Sequence, residues 1–229
     1  MIDTIIHGDC LDVMKDIPDE SIDMIVIDPP YKLTPGGSKG TEVRGCTGRL
    51  NNDYMKDGKV FKHNSIKSKE WFSELYRVLK DRTHCYVMCN DKYVREYLDN
   101  AEAVGFKEVN ILTWAKGMHT PTQYYLKNIE FILMFRKGRA KYINNMGSFS
   151  LIDIKGLRGN KTHPSEKPVD LMEHLILNSS NENDIILDCF VGSGATAIAA
   201  KKTNRHFIGI EKEQKYVDIS NHRLQEVAK

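Results

Sequence analysis

Strand-like apolar runs that alternate with helical segments predict an α/β protein: an open, mostly parallel sheet covered by helices on both faces. A second observation agrees, because the chemically distinctive residues fall at the carboxyl ends of those runs, where sheets of this class hold their ligands. Thr4 to Cys10 reads as a short buried strand with a Gly-Asp end, and Leu11 to Ile17 as a short helix closed by the turn Pro18-Asp19-Glu20-Ser21. Ile22 to Asp28 is the next strand. From Tyr31 to about Asn64 no period is sustained, and glycines punctuate the segment. Stretches of this length without structure inside a compact domain are usually functional or disordered. Ile66, Trp71, Phe72, Leu75, Val78 and Leu79 then recur at helical spacing, with Ser68 as the expected cap. His84 to Cys89 is a strand, and Lys92 to Val104 is a helix ended by Gly105. Val109 to Trp114 and Ile129 to Phe135 are two further strands. After a second aperiodic segment come a helix over Val169–Asn178, a strand over Asp184–Cys189 and a helix over Ala195–Thr203. A strand over His206–Glu211 and a terminal helix over Gln214–Val227 complete the chain.

With 229 residues, 41% hydrophobic and 28% charged, the chain has the profile of one globular domain over residues 1–229 with insertions. No apolar run approaches the roughly 20 residues needed to cross a bilayer. The start Met1-Ile2-Asp3-Thr4 lacks the basic, then apolar, pattern of a secretory signal, so a cytoplasmic location is expected. Cys10, Cys46, Cys85, Cys89 and Cys189 are odd in number and form no CxxC pair, which argues against a disulfide framework and a zinc site. They are expected to be reduced, buried packing residues, and no metal is expected.

The net charge of +2 conceals a strong segregation. Residues 32–69 carry nine Lys or Arg against three acids, and residues 136–167 carry eight against two, so each stretch holds +6 and the remainder −10. Such a pattern fits a polyanion lying across two segments, since phosphate contacts supply most nucleic-acid affinity. Charge alone equally allows solvated, lysine-rich loops.

Two motifs stand at strand ends. Asp28-Pro29-Pro30-Tyr31 follows Met24-Ile25-Val26-Ile27, and its two prolines hold the chain extended and rigid just where a strand hands over to a turn. As a bare string it suits a turn as well as a site. The second motif, Cys189-Phe190-Val191-Gly192-Ser193-Gly194-Ala195-Thr196, joins a strand to a helix. Glycines there admit close approach of backbone to a ligand, and the helix start favours a negatively charged group. Glu211 lies about 20 residues downstream at the end of the next strand, where an acid accepts hydrogen bonds from ribose hydroxyls. Together they point to a nucleoside-containing cofactor.

These residues resemble the amino-group DNA methyltransferases, which use S-adenosylmethionine to methylate adenine N6 or cytosine N4. Asp28-Pro29-Pro30-Tyr31 is similar to their catalytic motif, and Phe190-Val191-Gly192-Ser193-Gly194 to their cofactor loop. Gly8-Asp9-Cys10 and His163-Pro164-Ser165-Glu166-Lys167-Pro168 match further elements. The catalytic motif precedes the cofactor loop, with a basic region between, as in the permuted β subgroup. The resemblance implies a Rossmann-like sheet with permuted motif order. It also implies a cofactor surrounded by Phe190, Gly192, Ser193, Gly194 and Thr196, with Ser165 and Lys167 nearby, Glu211 on the ribose, and Asp9 with Cys10 on the adenine edge. Asp28 and the Pro29 carbonyl would hold the target amino group, Pro30 would stiffen the platform and Tyr31 would stack on the ring. For Lys167 the competing reading is an ordinary surface lysine before a helix.

The implied partner is double-stranded DNA, contacted through basic insertions at 32–64 and 137–162, with Lys39, Arg44, Arg49, Lys56, Lys59, Arg139, Arg158 and Lys161 as candidate contacts. Relatives often dimerise, so a homodimer is an open expectation. Asp at the first motif position favours adenine, because N4-cytosine members more often carry Ser there. Cytosine is the alternative, as is, from another class, a nucleic-acid-binding module that retains the fold without catalysis.

Overall fold

The computed structural model describes residues 1–30, 66–120, 125–157 and 166–227. Eight strands form one sheet in the order β1-β8-β7-β2-β3-β5-β4-β6. In chain order they are β1 (Thr4–His7), β2 (Ile22–Ile27), β3 (Leu79–Cys89), β4 (Lys107–Thr120), β5 (Lys127–Arg136), β6 (Leu151–Ile152), β7 (Ile185–Asp188) and β8 (His206–Glu211). Every neighbouring pair is parallel except β3 with β5 and β4 with β5, so β5 alone runs against the rest.

The central strands are buried on both sides, and this explains their unbroken apolar sequences. Met24 and Val26 face one layer with Tyr86, Met88 and Ile186, against the helices α4 (Val169–Ser179), α5 (Ala195–Lys202) and α6 (Gln214–Val227). Ile25 and Ile27 face the other with Cys85, Val87 and Cys89, against α1 (Cys10–Val13), α2 (Ser68–Val78) and α3 (Val94–Val104). Cys85 and Cys89 therefore share a face as their spacing requires. Burial pushes the Cys89 thiol up to about 12, which leaves it an inert packing group. Among the described residues no helix is long and apolar enough to cross a membrane.

Several boundaries differ from expectation for physical reasons. Ser68 is the first helical residue of α2, not its cap. It is buried between helices, where its hydroxyl donates to the Glu96 carboxylate of α3 and accepts from the Asn100 amide. Lys67 takes the cap position, and Glu70 reaches back to its backbone N–H. The helix predicted over 11–17 divides into α1 and a 3-10 turn over Met14–Asp16. β4 and β5 extend well past their apolar cores because they pair with one another as a long antiparallel ladder. β6 was not anticipated, since two residues offer no period to detect.

The chain leaves β2 towards β3 on one side and leaves β7 towards β8 on the other, while β2 and β7 lie side by side through Met24↔Ile186 and Ile25↔Leu187. Diverging connections open a crevice beyond the carboxyl ends of that pair. Asp28 follows β2 and Asp188 ends β7, so both acids arrive at its mouth.

Candidate active site

A cavity of about 330 Å³ occupies this crevice. Asp28, Pro29, Pro30, Gly192, Glu211 and Lys212 are among its lining residues, with apolar surface from Ile66, Met172, Phe190 and Ile210. Its size suits a compact cofactor.

Asp28 is partly buried, its side chain 18% exposed, and its two oxygens have different fates. Oδ2 accepts from the Lys167 ammonium at 2.5 Å, whereas Oδ1 has no hydrogen-bond partner. A buried oxygen left without a donor costs free energy unless something fills the vacancy. Lys167 also lies 3.4 Å from Glu130 Oε2, close enough for an ion pair though not aligned as a hydrogen bond. Glu130 Oε1 in turn accepts from Lys116 at 3.1 Å. Charges therefore alternate along Asp28, Lys167, Glu130 and Lys116. Burial pushes the Asp28 carboxyl up, Lys167 pulls it back and Glu130 adds to the rise, and the net shift is upward. Burial acts on Glu130 too, but Lys167 and Lys116 outweigh it and hold that carboxyl low.

The glycine loop is held from below by Asp188, whose carboxylate accepts from the Phe190 backbone N–H at 3.0 Å and the Thr196 hydroxyl at 2.6 Å. No cation joins them in these contacts, and burial pushes the Asp188 carboxyl up to about 7. Gly194 has φ +86° and caps α5; a Cβ there would lie 3.1 Å from the Ser220 Cβ. Gly192, at φ +53°, presents its N–H to Glu211 Oε2 at 3.0 Å, and its carbonyl accepts from the Ser220 hydroxyl at 2.6 Å. Glu211 Oε1 accepts from the Glu213 N–H at 2.8 Å, so two backbone donors orient a carboxylate that still has lone pairs to offer. Arg223 ties the loop to the segment that carries Lys167: one guanidinium nitrogen donates to the Ser193 carbonyl at 2.6 Å and pairs with Glu166 at 3.0 Å.

A family model described as DNA methylase, of the N6/N4 type, matches residues 22–152 and 147–222. The chain belongs to the N6/N4 DNA methylase family. It is 33% identical over 246 residues to the Type II methyltransferase M2.LlaDCHI of Lactococcus lactis subsp. cremoris, spanning 98% of this chain and 90% of that one. Against the Type II methyltransferase M.HinfI of Haemophilus influenzae the identity is 30% over 253 residues, covering 99% and 69%. The crystal structure of the M1.HpyAVI–SAM complex superposes with a TM-score of 0.71 at 26% identity, covering 96% and 99%.

For a DNA methylase, the cavity brings together most of the described residues expected at the site: Asp9, Cys10, Asp28, Pro29, Pro30, Lys167, Phe190, Gly192, Ser193, Thr196 and Glu211 all line it. Gly194 stands just behind, as the cap of α5. Three side chains have partners that the sequence did not reveal. Lys167 is buried on Asp28 and is no surface lysine. Asp9 caps α1 through the Leu11 N–H at 3.0 Å and pairs with Lys212 at 2.8 Å, so its carboxylate holds the Cys10–Leu11 turn in place. Thr196 turns its hydroxyl inward to Asp188.

Tyr31, Lys39, Arg44, Arg49, Lys56, Lys59, Arg158, Lys161 and Ser165 lie outside the described residues. Arg139 is described and exposed, but β5 carries it towards the rim where the parallel strands begin, since Arg136 pairs with His84 midway along β3 and the Lys137 carbonyl accepts from the Arg82 N–H before it. That rim is opposite Asp28. Lys137, counted within the second basic segment, is buried and donates to the Tyr76 and Leu79 carbonyls. Glu130, Lys116, Asp188 and Arg223 were not anticipated. For Asp188 a signal existed, an acid ending an apolar strand just before a glycine loop.

Proposed function

We propose that this methylase transfers a methyl group from S-adenosylmethionine to the N6 amino group of adenine in double-stranded DNA, acting on a base rotated out of the helix. The observation that carries the reading is Asp28 Oδ1, a buried acceptor without a donor on a residue that lines the cavity. An exocyclic amino group supplies the N–H it lacks.

The cofactor fits the residues present. Glu211 is oriented to accept ribose hydroxyls, Gly192 and Ser193 allow close approach of backbone, and Phe190, Ile210, Met172 and Ile66 provide apolar walls. Bound there, S-adenosylmethionine supplies a methyl group on a positively charged sulfur. The chain's own residues do the rest. The amino lone pair of adenine is delocalised into the ring, and Asp28 Oδ1 frees it by accepting one N–H while the Pro29 carbonyl takes the other. Acceptors fixed in place before the reaction stabilise the charge that develops on nitrogen without reorganising. Lys167 keeps Asp28 ionised despite its burial. The upward shift of the Asp28 carboxyl makes it a competent acceptor for the proton the methylated nitrogen sheds.

A target base inside a duplex cannot reach such a site, so it must be flipped out at a cost of a few kcal/mol. Tyr31 would then stack on the extruded ring, contributing about 1–3 kcal/mol. Residues 32–64 are the main candidate for reading DNA. In the second segment the candidate contacts narrow to those beyond β6, including Lys155, Arg158 and Lys161. Lys155 is exposed, and the Gly156 N–H binds the Lys116 carbonyl on the catalytic side of the sheet. Asp at position 28 favours adenine over cytosine.

The test is to methylate DNA, digest it to nucleosides and identify the product by mass and retention. N6-methyladenine is expected. N4-methylcytosine would overturn the base assignment, and unmodified nucleosides would overturn the reaction.

A further inference from the structure

The ion-pair chain beneath Asp28 carries more charge than is needed to hold one acceptor. A single lysine beside Asp28 would keep it ionised, yet Lys167 is shared with a second carboxylate, Glu130, and Glu130 is shared with a second lysine, Lys116. The four side chains are 7–19% exposed. Among the described residues, two buried side-chain atoms lack a hydrogen-bond partner, and they are Asp28 Oδ1 and Glu130 Oε2. Both lie on the carboxylates that compete for Lys167.

Glu130 reaches this place because β5 is antiparallel. It lies opposite Trp114 on β4, one residue before Phe131, which pairs with Cys89 at the end of β3. The beginning of β5 thus shares a rim with the ends of the parallel strands, and Glu130 enters beneath the site without lining the cavity.

We propose that Glu130 is a positioning residue: held by Lys116, it draws the Lys167 ammonium partly off Asp28, so that Asp28 Oδ1 stays a full-strength acceptor for the target amino group. The inference rests on the reading of Asp28 as that acceptor. The physics is a tug on one cation. An ammonium committed wholly to Asp28 would neutralise it and weaken its pull on an N–H, whereas an ammonium divided between two carboxylates leaves more negative charge on each. Lys116 sets the balance by taking part of the Glu130 charge. Asp28 is also faced by Asp188 from β7, Cys89 from β3 and Tyr97 from α3, and these groups stay constant in the comparison below.

The experiment compares kcat for methyl transfer from about pH 5.5 to about pH 9, at saturating cofactor and DNA, in wild type, Glu130→Gln and Lys116→Met. Glu130→Gln removes the competing charge while keeping the shape. Its acid limb should move down by about half a unit or more, with the plateau kcat about 10-fold lower and the KM for S-adenosylmethionine within about twofold. Lys116→Met strengthens the hold of Glu130 on Lys167, and its acid limb should move up. A residue that merely supports the fold would move neither limb. Limbs that stay in place, or move in the same direction, overturn the proposal. If Glu130→Gln does not fold, Lys116→Met decides alone: an upward limb supports the proposal and an unmoved or lowered one overturns it. Asp28→Ala separates the two levels. Wild-type turnover in that variant refutes the acceptor reading itself, whereas an inactive Asp28→Ala with no opposed shifts refutes the role of Glu130 alone.

Discussion

Replacing Lys167 with Met removes the cation from a buried charged cluster while keeping the length and apolar stem of the side chain. Lys167 lies 2.5 Å from Asp28 and 3.4 Å from Glu130. At an effective dielectric of about 20, unit charges at such separations attract by roughly 5–7 kcal/mol before desolvation is set against them. Lys116 continues to hold Glu130, so the carboxylate left without a cation is Asp28. Breaking a buried pair in this way costs about 3–5 kcal/mol when the remaining charge stays ionised. Asp28 can escape part of that cost by protonation, which makes the loss depend on pH. In wild type its carboxyl already stands above its ordinary value, and without Lys167 it stands higher. A carboxyl whose folded pKa exceeds its unfolded value, near 3.9, holds its proton more tightly in the native state. Stability therefore falls as pH rises from the unfolded pKa through the folded one. Urea unfolding should give a deficit of about 3–5 kcal/mol at about pH 8 and less than half of it at about pH 5. Methyl transfer at neutral pH should fall about 100-fold or more, because a protonated Asp28 is a much weaker acceptor of the N–H and cannot take up the proton that the methylated nitrogen sheds. A deficit under about 1 kcal/mol, or one equal at both pH values, would show that Lys167 does not sustain a buried charge on Asp28.

Three further outcomes are expected. Glu211→Gln should raise the KM for S-adenosylmethionine about 10-fold or more with little change in kcat, since it removes a charged acceptor for ribose hydroxyls. In wild type the burial that raises the Glu211 carboxyl makes cofactor affinity fall as acid protonates it, and titration calorimetry across pH in both proteins should find this slope absent from the variant. Gly194→Ala places a Cβ at φ +86°, 3.1 Å from Ser220, and should lower stability by about 1–3 kcal/mol in urea unfolding; an unchanged midpoint would refute the strain. Neutralising Arg44, Arg49, Lys56 and Lys59 together should weaken DNA binding and reduce the slope of log K against log salt by about 0.9 for each phosphate that no longer meets a cation; an unchanged slope would return that segment to solvent.

Much of the site was legible along the chain because its framework is local. Apolar runs announce strands, and a strand ending in Asp28, in Asp188 and a glycine loop, or in Glu211 delivers those groups to one rim wherever the strands are parallel. Gly192 and Gly194 could be singled out for the same reason, as a tight strand-to-helix turn demands residues that tolerate positive φ. Side-chain partners were not legible. Lys167 and Asp28 are 139 positions apart, and the helix that follows Lys167 suggested a surface position as readily as a buried one. Asp9 likewise carried a cofactor role by resemblance, while its carboxylate caps α1 and holds Lys212 from the far end of the chain.

The direction of β5 separates the two levels of information most clearly. Periodicity identified an apolar run over Ile129–Phe135, but a period-two pattern reads the same in either direction, so it could not say which end meets the site. Only pairing with β3 and β4 decides that β5 is antiparallel. That one choice brings Glu130 to the rim that holds Asp28 and sends Arg139 to the opposite one. The sequence by itself determined an α/β sheet, the order in which Asp28-Pro29-Pro30 and the glycine loop follow one another and the rim on which they meet, because these depend on residues close in the chain. Tertiary structure alone decided which charges share that rim, because buried ions persist only where distant parts of the chain supply their counterions.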